Sequence, residues 1–305
     1  MSVRVKNLTK IYGEQKAVDD ISFQIKEGEI VGFLGPNGAG KSTTMKIATC
    51  YIPPTSGEVI VDKFDVVLHP LEVRKVIGYL PEHNPLYLDM YVHEYLGFIG
   101  SLHQLSGKRL REGVKSIIEM CGLTLEQNKK IGALSKGYRQ RVGLAQSLIH
   151  DPKVLILDEP TTGLDPNQLA EIRQLIKQIS HEKTVIFSTH IMQEVQAICN
   201  RVIIINQGKI VADSPVSELK GEEEHVTYLI AEFTENVDLK DLIAIEGVID
   251  VAEQQKNQYV LKTNANRDIR AEIFKFATTN NKVLLEMREE KQSLENVFQK
   301  LTGRE

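Results

Sequence analysis

The most informative segment of the chain reads Ile30-Val-Gly-Phe-Leu-Gly-Pro-Asn-Gly-Ala-Gly-Lys-Ser42. Its first five residues, 30–34, form an apolar run with the length of a buried strand. The eight residues that follow match the phosphate-loop pattern G-x-x-x-x-G-K-[ST]. A helical pattern then extends from Ser42 to Thr49. A strand, a glycine-rich loop and a helix in this order predict a loop that binds the phosphates of a nucleotide.

Each residue type in this loop suits a different part of phosphate binding. The glycines let the backbone turn its N–H groups toward phosphate oxygens, and the positive end of the following helix dipole adds to the attraction. Lys41 can bridge the β- and γ-phosphates, and the Ser42 hydroxyl can ligate Mg²⁺. The residues predicted to contact the nucleotide here are Gly35, Pro36, Asn37, Gly38, Ala39, Gly40, Lys41, Ser42 and Thr43.

A second element of phosphoryl-transfer chemistry lies further along the chain. Residues 154–157 form an apolar run that ends in two carboxylates, Asp158 and Glu159. Asp158 at the end of a buried strand can hold Mg²⁺, and Glu159 can polarise a water for attack on the γ-phosphorus. Two acids at the start of a loop are common in proteins, but a phosphate loop in the same chain favours the catalytic interpretation.

The remaining pattern predicts an α/β fold and two domains. Strand and helix patterns alternate through the first part of the chain, with strands predicted at 76–80 and 184–188 among others, which favours a mostly parallel sheet. Within the segment 83–150, residues 91–102 and 110–121 fit helical periods. Gly221 and the acids at 222–224 indicate a solvated linker, so we predict domains at 1–217 and 218–305. The second domain has the pattern βαββαβ followed by a helix at 293–302, which is compatible with a ferredoxin-like fold.

The composition argues against a nucleic-acid binder, a membrane-spanning protein and a disulfide or zinc module. The 305 residues include 37 basic and 41 acidic side chains, for a net charge of −4, so the basic excess of a nucleic-acid binder is lacking. No apolar run approaches the roughly 20 residues that span a bilayer. The three cysteines lie far apart, which argues against a disulfide framework or a zinc module and favours free thiols in a reducing cytosol.

Three further segments complete a family pattern. Leu134-Ser-Lys-Gly-Tyr-Arg-Gln-Arg141 resembles the signature segment of ATP-binding cassette (ABC) ATPases, Gly163-Leu-Asp165 resembles their D-loop, and Ser188-Thr-His190 resembles their switch-histidine segment. Together with the phosphate loop and the paired carboxylates, their order and spacing fit that family over residues 1 to about 217. The resemblance implies a P-loop NTPase cassette with a RecA-like core, a β subdomain and a helical subdomain near 83–150.

The resemblance also implies how the residues would act. Two cassettes would dimerise head to tail, so that each ATP lies between the phosphate loop of one copy and the signature of the other. Glu159, His190 and Lys41 are then the implied catalytic residues, and His190 would contact the γ-phosphate and help Glu159 position the water. The further residues implied to contact nucleotide are Tyr12, which would stack on adenine, Ser135, Lys136 and Gly137 of the signature, and Asp165 of the D-loop.

One departure from the family pattern bears directly on the phosphate site. The family usually has a glutamine after the strand near residue 80, whereas this chain has Glu82. A glutamate can still accept a hydrogen bond from Mg²⁺-bound water, but it brings a negative charge close to the phosphates. We predict that Glu82 lines the site and joins Ser42 and Asp158 around Mg²⁺; the alternative is an acid of a surface loop.

Within the family, three segments resemble ATP-binding subunits of the ABC-2 exporter class: 134–141, 78–82 and the tail Ser293-Leu-Glu-Asn-Val-Phe298. Overall likeness extends to bacterial gliding-motility-associated ATPase subunits. The resemblance implies an ATPase that energises a separate integral-membrane permease, pairs with a second copy of itself or a partner cassette, and lies on the cytoplasmic face of the cell membrane through that permease. It implies ATP and Mg²⁺ as cofactors and no nucleic-acid partner.

Two other functions stay open at this point. One is a soluble ABC ATPase that remodels a ribosome or another cytosolic complex, although such proteins normally carry two cassettes and this chain has one phosphate loop. The other is a nucleotide-gated binding module with little turnover. Its motivating features are Glu82 and a signature that has Lys136 and Tyr138 where the family usually has glycine and glutamine.

Overall fold

The computed structural model describes residues 2–180, 182–218, 226–264 and 267–290. The predicted acidic linker at 222–224, the predicted helix at 293–302 and the tail segment 293–298 lie outside the described residues. Contacts divide the chain into two compact units, Met1–Val216 and Ser217–Glu305. Among the described residues, no helix has both the length and the apolar character needed to cross a membrane.

The first unit is mixed α/β. Its strands are β1 (Val3–Tyr12), β2 (Gln15–Ile25), β3 (Ile30–Leu34), β4 (Ser56–Val61), β5 (Phe64–Asp65), β6 (Ile77–Leu80), β7 (Val154–Asp158), β8 (Thr184–Thr189), β9 (Arg201–Asn206) and β10 (Lys209–Pro215). Its helices are α1 (Lys41–Ala48), α2 (Pro70–Val76), α3 (Val92–Leu102), α4 (Gly107–Met120), α5 (Lys136–Leu148), α6 (Pro166–Ser180) and α7 (Met192–Ile198).

The larger sheet has six strands in the order β10-β9-β3-β8-β7-β6. β3 pairs in parallel with β8 and β9, and β7 pairs in parallel with β6 and β8. Every residue of β3, β7 and β8 is buried, which explains their continuous apolar character. Because the carboxyl ends of parallel strands lie at one edge, the loops after β3, β6, β7 and β8 come together there.

A smaller antiparallel sheet, β2-β1-β4-β5, packs with the larger one around a shared core. Phe23 of the smaller sheet and Phe33 of the larger have ring centroids 5.5 Å apart. Met45 and Ile47 bury one side of α1 in the same core. The helix that follows the phosphate loop is therefore held between the sheets, which fixes the position of its N-terminus.

The predicted helices of the segment 83–150 are present, with shifted bounds. The predicted ranges 91–102 and 110–121 correspond to α3 and α4, and α5 begins directly after Ser135. The predicted strand from Val76 to Leu80 was one residue too long, because Val76 ends α2. The sequence patterns also missed α2 itself, a helix too short to show a helical period, which begins at Pro70.

The second unit is a separate α/β layer. It contains β11 (Val226–Phe233), α8 (Leu239–Ile243), β12 (Val248–Gln255), β13 (Gln258–Asn264), α9 (Arg270–Thr279) and β14 (Leu284–Glu290). The strands form an antiparallel sheet in the order β12-β13-β11-β14, and the element order is the predicted βαββαβ. Its core includes Tyr259, whose buried hydroxyl donates to Asn236 and accepts from the N–H of Val237.

Candidate functional site

The phosphate loop follows β3 and accepts only glycine at two positions. A Cβ at Gly35 would collide with the carbonyl oxygen of Ile205. Gly40 has φ of 107°, and a Cβ there would lie 2.5 Å from the carbonyl oxygen of Ala17. The loop therefore forms a tight cradle at the N-terminus of α1, where backbone N–H groups favour an anion.

Lys41 is the first residue of α1 and lies inside this cradle. Its Nζ donates to the carbonyl oxygens of Gly35 at 2.7 Å and Pro36 at 3.2 Å, and it lies 3.5 Å from Oε1 of Glu159. Burial lowers the pKa of this ammonium, and the neighbouring Glu159 opposes that shift. Phosphate oxygens would be stronger acceptors for this cation than the two carbonyl groups it now contacts.

Glu159 follows β7 and is surrounded by the other predicted catalytic groups. His190 Nδ1 lies 2.9 Å from Oε2 and 3.0 Å from Oε1, and the Thr162 hydroxyl donates to Oε2 at 3.2 Å. The backbone of Glu159 is left-handed, with φ of 51°, and its N–H donates to the carbonyl oxygen of Ser188. Left-handed backbone at a non-glycine residue is unfavourable and concentrates at functional sites.

Asp158, at the end of β7, has the environment of a magnesium ligand. It is 1% exposed, and its Oδ1 makes no hydrogen bond to a described residue. Burial raises the pKa of this carboxyl, while the hydroxyl of Ser42 opposes the rise. A buried carboxylate oxygen without a partner next to a hydroxyl matches the oxygen ligands that Mg²⁺ prefers. These residues therefore fit the ion that the sequence predicts.

Glu82, in the loop after β6, is exposed and lines the phosphate cavity. This cavity has a volume of about 390 Å³ and also contains side chains of Lys41, Ser42, Glu159 and His190. The carboxylate of Glu82 is close enough to add to the forces that keep Lys41 charged. Glu82 is thus exposed, as an acid of a surface loop would be, and it also forms part of the cavity wall.

Two residues that line the cavity were not predicted. Ala17 of β2 reaches it through the backbone next to Gly40, and nothing in the sequence near residue 17 indicated this. Thr162 contacts Glu159 from the loop after β7. Its position three residues after a predicted catalytic carboxylate was the one available signal.

Tyr12 lies at the end of β1 and is 49% exposed. The ammonium of Lys10 lies 5.1 Å from its ring centre. The ring is not part of the wall of the phosphate cavity. Stacking of Tyr12 on adenine stays a prediction, for which an exposed aromatic ring is the supporting feature.

The signature residues occupy a different surface. Ser135 caps α5, where its Oγ accepts from the N–H of Tyr138, and both Ser135 and Lys136 are exposed. The Lys136 ammonium lies against Gly163, and Gly137 packs against Gln168. Among the described residues that line the phosphate cavity, none belongs to the signature.

Asp165 of the segment 163–165 caps α6 within the chain. Its Oδ1 accepts from the N–H groups of Asn167 at 3.0 Å and Gln168 at 2.9 Å. Gln140 of α5 donates to the carbonyl oxygen of Pro160, which ties the signature helix to the same loop. The predicted D-loop and signature therefore form one connected surface.

Comparisons with known proteins point to one family. Residues 18–162 match the family model described as ABC transporter. The bacitracin transport ATP-binding protein BcrA of Bacillus licheniformis is 33% identical over 304 residues, covering 99% of this chain and 97% of that protein. The linearmycin resistance ATP-binding protein LnrL of Bacillus subtilis is 31% identical over 307 residues, covering 99% and 98%.

Solved structures agree with the sequence relatives. The ATP-binding cassette MJ0796, in a dimeric post-hydrolysis state bound to ADP and Pi, has a TM-score of 0.65 and 29% identity, covering 70% of this chain and 98% of that one. The cbiO1 protein of Clostridium perfringens, part of the ABC transporter complex cbiONQ, has a TM-score of 0.66 and 29% identity, covering 72% and 91%.

Proposed function

This chain belongs to the ABC transporter family, as an ATP-binding subunit with the cassette fold of an ABC ATPase, and we propose that it powers export through a separate membrane permease. The cassette comprises residues 1–217 and an accessory domain comprises 218–305. Relatives named for bacitracin transport, linearmycin resistance and Nod factor export support the export direction.

The site suggests how the chain's own residues promote hydrolysis. Lys41 exchanges its carbonyl partners for β- and γ-phosphate oxygens, because the same ammonium already lies inside the loop. Ser42 and Asp158 hold Mg²⁺, which supplies charge neutralisation on the phosphates when bound. Glu159 then has its carboxylate free to accept a proton from the attacking water, and His190 helps to orient that water and the γ-phosphate.

A second cassette completes this site. The observation that carries the proposal is the separation of the signature from the chain's own phosphate cavity, together with the exposure of Ser135 and Lys136. In a head-to-tail pair, Ser135 and the Gly137 backbone of one copy would bind the γ-phosphate held by the other. ATP binding would then close the pair, and hydrolysis would open it.

The permease would receive this motion through the helical segment near 83–150. Several large apolar side chains there are exposed in the isolated chain, among them Tyr87 at 55%, Leu88 at 47% and Phe98 at 38%. Exposed apolar surface of this kind is typical of a protein interaction site. Binding to the permease would place the chain at the cytoplasmic face of the cell membrane.

Two finer aspects of the proposal concern the accessory domain and the biological role. The strand order β12-β13-β11-β14 supports a ferredoxin-like accessory domain, for which we favour regulation or a contact between cassettes.

A role in gliding motility rests on overall sequence likeness and has less support than export. Relatives with transport names also argue against the ribosome-remodelling alternative.

The direct test is co-purification from native membranes. We expect a tagged Glu159→Gln variant to retain one integral-membrane protein in mild detergent when MgATP is present. Tagged Lys41→Ala serves as the matched control, because it carries the same surface without productive nucleotide binding. Recovery of ribosomal components instead, with no membrane protein enriched, would support the remodelling alternative and contradict the proposal.

A further inference from the structure

Glu194, on α7, is a buried acid that the catalytic scheme above does not use. It is fully buried, and its Oε1 makes no hydrogen bond to a described residue. Burying a carboxyl group with an incomplete set of partners costs free energy. A functional role of Glu194 would explain why this free-energy cost is accepted, and the contacts of its other oxygen suggest such a role.

The other oxygen of Glu194 is bound by the residue that precedes the switch histidine. The hydroxyl of Thr189 donates to Glu194 Oε2 at 2.7 Å, and the same hydroxyl oxygen accepts from the N–H of Ile191 at 3.1 Å. The N–H of Glu194 donates back to the carbonyl oxygen of Ile191 at 3.2 Å. These hydrogen bonds hold the backbone in place on both sides of His190.

The same end of β8 also accepts hydrogen bonds from the phosphate loop and from Glu159. The Thr189 carbonyl oxygen accepts from the N–H of Gly35, at the start of the phosphate loop, at 3.3 Å. The preceding Ser188 carbonyl oxygen accepts from the N–H of Glu159 at 3.0 Å. A small rotation at Thr189 would therefore shift His190 relative to both Glu159 and the phosphate loop.

We infer that Glu194 is a positioning residue for hydrolysis, which acts through the Thr189 hydroxyl to fix the turn that presents His190 to Glu159. The inference rests on the chain's ATPase activity and does not require the permease. Misplacing a group in a phosphoryl-transfer site by about 1 Å can cost about 100-fold in rate. Loss of the Thr189 hydroxyl should therefore affect the chemical step more than the binding of ATP.

The test compares two threonines of β8. Thr189→Val removes the hydroxyl with little change in shape, and Thr189→Ser retains it. Thr184→Val is the matched control, because Thr184 is also buried on β8 and its hydroxyl oxygen accepts from the N–H of Gly28 at 3.1 Å, at the opposite end of the strand. We expect kcat to fall about tenfold in Thr189→Val with KM changed less than about threefold, while the other two variants stay within about twofold of wild type.

A second readout does not depend on turnover. Crystal structures of the nucleotide-free variants should show His190 Nδ1 displaced from the Glu159 carboxylate in Thr189→Val and unmoved in Thr184→Val. An unchanged kcat in Thr189→Val, an equal loss in Thr184→Val, or no recovery in Thr189→Ser would each overturn the inference. Failure to find a permease would contradict the proposed export function alone.

Discussion

The carboxylate of Glu159 is engaged by three side chains in the isolated chain: Lys41, Thr162 and His190. A carboxylate bound in this way has few lone pairs left to accept a proton from water. Arrival of a γ-phosphate gives Lys41 a better partner. Nucleotide binding would thus leave more of the Glu159 carboxylate free to accept a hydrogen bond from water.

Substitution of Lys41 tests the phosphate loop directly. Lys41→Ala removes the ammonium that lies inside the cradle, and we expect ATP turnover to fall by about 100-fold or more, as for other lost transition-state contacts. Lys46→Ala is the matched control, because Lys46 lies on the same helix and is exposed. Steady-state phosphate release measures both variants. Normal turnover in Lys41→Ala would contradict the phosphate-loop assignment.

Glu82 lies where the family resemblance predicts a glutamine, and its charge can be removed with little change in shape. In Glu82→Gln one negative charge beside the phosphates disappears, so we expect turnover to be preserved or raised. Phosphate release over a Mg²⁺ titration would measure this, with Glu119→Gln on the exposed side of α4 as control. Complete loss of activity would show that the carboxylate has a specific role as a ligand.

At this scale, sequence motifs predicted Lys41, Asp158 and Glu159 as site residues, and the family resemblance added His190. Lys41, Asp158, Glu159 and His190 come together around one strand edge because their loops follow parallel strands. Glu194 could not be identified in this way. Its contact with Thr189 depends on the angle at which α7 returns to β8, and no local pattern encodes that angle.

Among the elements, the contact of α3 and α5 with β6 carries a titratable pair. The rings of His103, after α3, and His150, after α5, stack with centroids 3.8 Å apart and planes 5° apart. His150 Nε2 lies 2.9 Å from the carbonyl oxygen of Ile77. Burial, followed by the charge of the neighbouring His103, lowers the pKa of His150 to about 4. Burial also lowers the pKa of His103.

This pair predicts a pH dependence of stability. The ordinary pKa of histidine is 6.5, so between pH 6.5 and about 4 the unfolded chain binds more protons at His150 than the folded one. The stability present above pH 6.5 is therefore lost as the pH falls toward 4, by at most about 3 kcal/mol. In His150→Phe, which keeps the ring contact, we expect a smaller loss of urea-unfolding free energy over this range. An identical pH profile in wild type and variant would refute the prediction.

Element type was predictable where a pattern was long enough to show its period. The fully buried strands β3, β7 and β8 and the helices α3 and α4 all gave clear signals. The short α2 and the edge strand β10 did not. β10 alternates between exposed and half-buried residues, and among the described strands it pairs only with β9, so its sequence carries little apolar signal.

For the whole molecule, the central question is whether the site is complete within one chain. The family and its cassette fold follow from motifs that span 1 to about 217, and the relatives confirm them. The pairing of two cassettes could be predicted only through the family resemblance, because it depends on a surface that the isolated chain leaves exposed. The sequence of the accessory domain predicted its order of strands and helices, but it contains no motif that indicates the role of the domain.

The most direct measurement of this claim is light scattering after size exclusion on Glu159→Gln, with and without MgATP. Without the carboxylate that we propose to polarise water, ATP should stay bound and hold two cassettes together. We expect the mass to rise from about 34.3 kDa to twice that value only when MgATP is present. Replacing Ser135 with Arg in the same variant should prevent the rise, because the bulky side chain would block the signature. A mass that stays at one chain with MgATP would contradict the composite site.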